Sequence, residues 1–387
     1  MRPAPYPLSL RERTKVRVKG VIMPAQHILK VYTFCCIILS FFNCQKKVTN
    51  WPEIKENAYV ECHLPNEFNT PRILSNNTLG WEDGLYVSRD GLHLYATYMP
   101  ADFLSFVLNG DKVENLVKYD RGPHYDMDLK SNPVGTFLWY HSDIIFATRS
   151  SITEEFGAWT TSNMKRSIYS EGGFGAFFAD SSTISICVFT SNDVYTANTN
   201  IKCIRNTTPN PSGIGDLLTP IDSFGTQFIN TAYIEDNPHV ELIDDTTLVL
   251  FFDSEDRPGG EGGHDIWYSV SSDNGVNWSK PLPVTTVNTP QKEHQPHLFF
   301  DGTDWWLYYS AEHSDGKLAI FRRKQQTTGN WDDWGTAELV LSAGNTAGIG
   351  EPSLTSHGDL YFVVVYDNPE GTKYDRFDAD AWVATRK

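Results

Sequence analysis

Ser142-Asp143-Ile144-Ile145-Phe146-Ala147-Thr148-Arg149 carries a pattern that the rest of the chain repeats. A small or polar residue, usually Asp, leads into an apolar stretch, then Ala or Ser and often Arg. It returns as Asn192-Asp193-Val194-Tyr195-Thr196-Ala197 and as His264-Asp265-Ile266-Trp267-Tyr268-Ser269. A degenerate copy is Gly316-Lys317-Leu318-Ala319-Ile320-Phe321-Arg322, and the last is Ala379-Asp380-Ala381-Trp382-Val383-Ala384-Thr385-Arg386. Self-similarity of this kind marks an architecture built from one repeated supersecondary unit.

Two strand-like runs precede the pattern. Before the last copy they are Glu351-Pro352-Ser353-Leu354 and Leu360 to Tyr366, parted by Ser356-His357-Gly358-Asp359, where Gly suits a tight hairpin. The fourth unit reads Pro296 to Phe300, an Asp301-Gly302-Thr303-Asp304 turn, then Trp305 to Ser310; the first reads Leu85 to Ser88, Arg89-Asp90-Gly91, then Leu92 to Tyr98. The pattern is thus strand c of a four-stranded unit a–d, and Trp159, Trp278 and Trp331 close the c–d turn in three units. Four-stranded antiparallel units repeated radially make a propeller. Five c strands predict an all-β, five-bladed β-propeller. Blade five lacks a d strand of its own, so one is expected from upstream, around 57–64 or 71–74, which also removes an exposed sheet edge. An open β-sandwich array, or a sixth blade hidden in 101–140, are the alternatives.

Composition agrees. The 387 residues are 40% hydrophobic and 13% aromatic, which supplies a large core and favours strands. The formal net charge is −16. Residues 1–43 hold seven basic side chains and one acid, so residues 44–387 carry 25 basic against 47 acidic. Such a body is repelled by phosphate backbones, which excludes nucleic acid as a partner.

Residues 1–22 are basic and patternless, and Met23 is an alternative start. From Met23 the chain reads as an export signal: a basic region ending at Lys30, an apolar run from Val31 to Phe42, then Cys44. The run is too short to span a membrane. Leu39-Ser40-Phe41-Phe42-Asn43-Cys44 resembles a bacterial lipobox, with Asn43 where a small residue is usual. The expectation is a signal over 1–43, lipid on Cys44, a tether over 44–56 and a propeller over 57–387, exported and anchored in a bacterial cell envelope. The alternative is ordinary cleavage with Cys44 incidental. Cys62, Cys187 and Cys203 are an odd set that allows at most one disulfide.

Units one and five resemble the TolB-type propeller repeat of bacterial envelope proteins, through Trp81-Glu82-Asp83-Gly84 with Ser88-Arg89-Asp90-Gly91, and through Glu351-Pro352-Ser353-Leu354 with the 379–384 segment. That resemblance implies a binding scaffold. Ser271-Ser272-Asp273-Asn274-Gly275-Val276-Asn277-Trp278 resembles the Asp-box of sialidases, in which Ser271, Asp273, Gly275 and Trp278 would have structural roles only. The three-arginine clamp of sialidases is not recognisable.

In a propeller the d–a and b–c loops share one face. Segments 101–141, 207–234, 253–264 and 367–378 are the long ones, and all fall there, where binding residues collect. The a strands begin on the same face with Glu82-Asp83, Glu171, Glu235-Asp236, Glu293-His294-Gln295 and Glu351. Close carboxylates repel and raise each other's pKa, as acid–base chemistry requires. Five-bladed glycosidases of the arabinanase and xylosidase kind use three carboxylates at such strand starts. By that resemblance Asp83 takes the place of the base and Asp236 that of the acid, with Glu293 as a third carboxylate. Glu82, Glu235, His294 and Glu351 are candidate ligand-binding residues. Trp81, Tyr125, Tyr140 and Tyr233 are placed to stack on sugars or to fill core. His239, His264 and His297 lack metal-ligand spacing and read as structural. Asp253-Ser254-Glu255-Asp256 reads as a solvated acidic loop or, with channel acids, as a Ca²⁺ site; no other cofactor is implied. The leading expectation is a non-enzymatic propeller binding a glycan or an envelope protein, and the alternative is a glycoside hydrolase.

Overall fold

The computed structural model describes residues 49–109, 120–125, 142–164, 170–192, 199–218 and 229–387. The signal segment, Cys44 and Tyr140 lie outside them. Blade one is β3 (Trp81–Val87), β4 (His93–Met99), β5 (Asp143–Thr148) and β6 (Thr160–Thr161). Blade two is β7 (Glu171–Asp180), β8 (Thr183–Ser191), β9 (Asn200–Thr207) and β10 (Asp216–Leu217). Blade three is β11 (Ile234–Leu242), β12 (Leu248–Glu255), β13 (His264–Ser271) and β14 (Leu282–Pro283). Blade four is β15 (Glu293–Phe300), β16 (Trp305–Glu312), β17 (Leu318–Lys324) and β18 (Glu338–Ser342). Blade five is β19 (Gly348–Leu354), β20 (Leu360–Thr372) and β21 (Asp375–Ala384). All pairings are antiparallel, and the protein is a five-bladed propeller of four-stranded blades.

Both upstream candidates for the closing strand are used. β2 (Arg72–Ile73) pairs with β21 as the fourth strand of blade five, while β1 (Glu61–Cys62) pairs with β18 and gives blade four a fifth strand. The ring therefore closes between the N-terminal part of the body and the last strand of the chain.

Four of the five repeat copies are third strands. The copy at 192–197 is the exception: the third strand of blade two is β9, and 193–197 lies outside the described residues. β9 alternates polar Asn200 and Lys202 with buried Ile201 and Cys203, and so lacks the Asp-led apolar run that marks most of the other third strands. The 367–378 segment is no loop either. β20 and β21 continue through it as a hairpin.

The core explains why the strands read as unbroken apolar runs. Five apolar clusters fill the five gaps between neighbouring blades. Along β12, Leu248, Leu250 and Phe252 pack toward blade two, and Val249 and Phe251 toward blade four. Alternate side chains point to opposite faces, so a strand buried on both faces must be apolar throughout. Trp159, Trp278 and Trp331 each fill the gap with the preceding blade. Helix α1 (Trp51–Glu56) packs Trp51 on blade five, and α2 (Phe103–Asn109) covers the gap between blades five and one. The compact unit begins at Thr49. Cys62, Cys187 and Cys203 are free thiols.

Candidate active site

The first strand of every blade breaks its ladder at the same place. Register shifts fall after Asp83, Gly172, Asp236, His294 and Gly350. The next residue in each blade has positive φ: Gly84 (57°), Gly173 (55°), Asn237 (48°), Gln295 (56°) and Glu351 (58°). Bulges of this kind re-aim side chains. Here they turn the preceding residue toward the axis, so the five blades present a ring of Asp83, Gly172, Asp236, His294 and Gly350. Four of its members, Asp83, Gly172, Asp236 and His294, line a funnel of about 880 Å³, counting its open mouth. Its wall adds the hydroxyls of Thr97, Ser142, Ser170, Thr190 and Thr199, the apolar side chains of Met99 and Phe103, and His264.

One position earlier stand Glu82, Glu171, Glu235 and Glu293, all buried. Strand alternation points Glu82, Glu235 and Glu293 away from the ring, whereas Glu171 lines the funnel wall. Glu82 accepts bonds from Thr78 N (3.1 Å) and Thr78 Oγ1 (2.5 Å). Glu293 accepts from Thr289 N (2.7 Å) and Oγ1 (2.6 Å), and Glu235 from the same two groups of Thr231. These three glutamates brace the loop that enters their blade. They do not line the funnel, which separates Glu82, Glu235 and Glu293 from Asp83 and Asp236. A Thr-x-x-x-Glu spacing at 78–82, 231–235 and 289–293 was the legible signal for this role.

Opposite the ring, the second strands carry Thr97, Thr190, Asp253, Ser310 and Val363. Three of these fasten the next blade. Gly173 N donates to Thr97 Oγ1 (3.0 Å), Gln295 N to Asp253 Oδ2 (2.8 Å) and Glu351 N to Ser310 Oγ (3.1 Å). Val363 has no acceptor to give blade one. Glu351 compensates: its Oε2 accepts from Leu85 N (2.9 Å), and its Oε1 from Gln295 Nε2 (3.1 Å). Glu351 reaches the funnel, but its carboxyl is a strut between blades. Asp253 is likewise a hub rather than part of a solvated loop. It is fully buried, and it also takes Asn237 Nδ2 at 2.8 Å and lies 3.3 Å from His264 Nδ1. His264, expected to be structural, lines the funnel.

Asp83 and Asp236 remain as the ring carboxyls with capacity to spare. Trp81 Nε1 donates to Asp83 Oδ2 at 2.5 Å, and Asn237 N to Asp236 Oδ1 at 2.9 Å. Burial raises Asp83 to about 7 against the lowering effect of the Trp81 bond, with Asp236's charge adding to the rise. Burial raises Asp236 to about 6, helped by Asp253. Glu351 is pushed well above the ordinary carboxylate range by burial and then by Asp83. His264 is raised: burial lowers it, but its bond to Asp253 and that carboxylate's charge prevail. Burial, His264 and Lys292 hold His294 down at about 4 against the pull of Asp253, so its imidazole is neutral.

The 271–278 turn lies at the end of β13 away from the funnel, since Ser271 pairs with Leu248 while His264 pairs with Glu255 at the mouth. Asp273 accepts from Asn277 N (2.8 Å) and Ser271 Oγ (2.8 Å). Tyr233 is exposed, and Tyr125 packs edge-on against Tyr98 at 5.0 Å.

No family model matches the chain, and neither does any curated protein. Solved structures of like fold include the catalytic domain of a GH62 α-L-arabinofuranosidase from Coprinopsis cinerea (11% identity, 81% of this chain and 92% of that one, TM-score 0.48). Another is an α-L-arabinofuranosidase from Podospora anserina, in complex with cellotriose (9%, 81% and 92%, 0.47). A third is a family 117 glycoside hydrolase from the marine bacterium Zobellia galactanivorans (11%, 85% and 91%, 0.47). At these identities the likeness bears on the fold. The expectation of a non-enzymatic binding scaffold is corrected: the funnel holds two carboxyls raised by burial and neighbouring charge, the feature that the alternative reading required.

Proposed function

We propose that this protein is a glycoside hydrolase whose acid–base pair is Asp83 and Asp236. One observation carries the reading. Two carboxyls occupy equivalent ring positions in blades one and three, open to one funnel, and are raised by burial and neighbouring negative charge. Such a pair titrates as a unit. Between about pH 6 and 7 it holds about one proton, so it offers a carboxylic acid and a carboxylate together. The acid protonates the glycosidic oxygen as the C–O bond breaks, and the carboxylate either takes a proton from the attacking water or attacks the anomeric carbon itself. The hydroxyl-rich wall suits a sugar's hydroxyls, and Met99 with Phe103 suits the apolar face of its ring. The signal-like segment ending at Cys44 supports an exported, lipid-anchored enzyme that meets glycans outside the cytoplasm.

A hydrolysis screen on arabinosides, xylosides and mannosides tests this. At least one should be cleaved, and Asp83→Asn and Asp236→Asn should each slow kcat by about 10²–10⁴-fold. Glu293→Gln should leave the rate of folded protein within a few-fold. Full activity in both aspartate variants would overturn the assignment.

A further inference from the structure

The ring has three occupants with side chains, and only two are acids. The third, His294, stands in blade four at the position that Asp83 and Asp236 hold in theirs, directly before a positive-φ residue and a register shift. It lines the same funnel. Its Nε2 is buried and has no hydrogen-bond partner. The neighbours that might have served it are committed elsewhere. Asp253 is occupied by Gln295 N, Asn237 Nδ2 and His264, and the His264 ring lies beside His294 at 5.6 Å without bonding it. A buried polar atom without a partner costs folding free energy, so the fold gains nothing from an imidazole there. A Gly, as at 172 and 350, would have satisfied the bulge.

Two features of His294 narrow what completes it. As a neutral imidazole it offers one donor and one acceptor. A sugar hydroxyl is donor and acceptor too, and can meet the free nitrogen in either tautomer. A cation would need further ligands, and the described residues contain no group of three or more His, Cys, Asp or Glu set to hold one. His294, Asp83 and Asp236 line the same funnel, so a sugar ring held there can meet all three.

We infer that His294 grips a hydroxyl of an uncharged sugar ring and so fixes that ring over the Asp83–Asp236 pair. The inference rests on the reading of the funnel as a sugar site, but not on the funnel being catalytic. His294 is in this role a substrate-positioning residue. Losing it should weaken sugar binding more than it slows the chemical step.

The test is binding by the full chain, read separately from turnover. Long-range ¹H–¹⁵N spectra of ¹⁵N-histidine-labelled protein are recorded with L-arabinose, D-xylose and D-mannose at high millimolar concentration. The His294 resonances are assigned by their loss in His294→Gln. They should move with at least one of the three sugars. His294→Ala should bind that sugar about tenfold more weakly, the loss of one hydrogen bond of about 1.4 kcal/mol. His294→Gln, which keeps a donor and an acceptor, should recover part of the loss, and both variants should keep the wild-type melting temperature or exceed it. If the His294 resonances move with none of the three sugars, or if His294→Ala binds as tightly as wild type, the inference is wrong. Binding through His294 without hydrolysis of any glycoside would leave it standing and sink the catalytic reading instead.

Discussion

Trp81→Phe isolates the electrostatics of Asp83. Residues 81 and 83 lie on the same side of β3 by strand alternation, and the indole Nε1 donates to Asp83 Oδ2 at 2.5 Å. Phenylalanine keeps the edge-on contact with Phe103, whose ring centre lies 5.8 Å away, and removes only the donor. The bond favours the charged carboxylate, so its loss must raise the pKa. A hydrogen bond to a charged group contributes about 1.5–3 kcal/mol. The funnel is open to water, so the lower end applies, and 1.36 kcal/mol is one pKa unit. Asp83 should therefore move from about 7 to about 8. The assay is the pH profile of kcat/KM on whichever glycoside is cleaved, with ¹³C titration of the aspartate carboxyls as a check independent of activity. If Asp83 is the acid, the alkaline limb moves up; if it is the base, the acid limb does. A profile with neither limb displaced, or an Asp83 pKa that falls, refutes the reasoning.

Other perturbations follow from the same geometry. Because Asp83 and Asp236 have folded pKa values above their unfolded ones, their contribution to stability is complete below about pH 4 and is lost as pH rises through about 6–7. Asp83→Asn should thus raise the melting temperature at pH 8 and change it little at pH 4; an equal shift at both would contradict this. Glu351→Ala leaves Leu85 N without its acceptor and should cost about 1–3 kcal/mol in urea unfolding, with Glu351→Gln losing less because it keeps an oxygen; no loss would remove the strut. Asp273→Ala should lower the melting temperature and leave kcat/KM intact, whereas lost activity at an unchanged melting temperature would place that turn in the site. Cys44→Ser should shift the protein from the membrane to the soluble fraction, and unaltered partitioning would exclude a lipid at that position.

The fold was legible because a propeller repeats its errors as well as its strands. Blade two lost one copy of the pattern, yet four others fixed the unit. The closing strand was legible as a gap to be filled, and its two candidate segments both proved to be strands. The site was half legible. Strand starts were located correctly, but adjacent acids such as Glu82-Asp83 and Glu235-Asp236 were pooled, although a strand sends neighbours to opposite sides. The bulge decides which of the two faces the axis, and its mark in the sequence is subtle: Gly at 84 and 173, but Asn237, Gln295 and Glu351 in the other blades. Asp253 reads as part of an acidic loop because its role as a hub is entirely tertiary. Nothing local distinguishes a buried hub from the acidic loop that Asp253-Ser254-Glu255-Asp256 spells out.

The two-residue clasp between Arg72–Ile73 and Trp382–Val383 has a consequence in time. A nascent chain exposes its half of the clasp early and must wait for almost the entire remainder before the other half exists. Until then blade five has no outer edge, blade one has no neighbour on one side, and the apolar gap between them, with Leu74, Tyr361 and Val363, is open to water. Pairings so distant in sequence are slow to form. Throughout that interval the half-made ring offers its open gap to any other chain able to complete it.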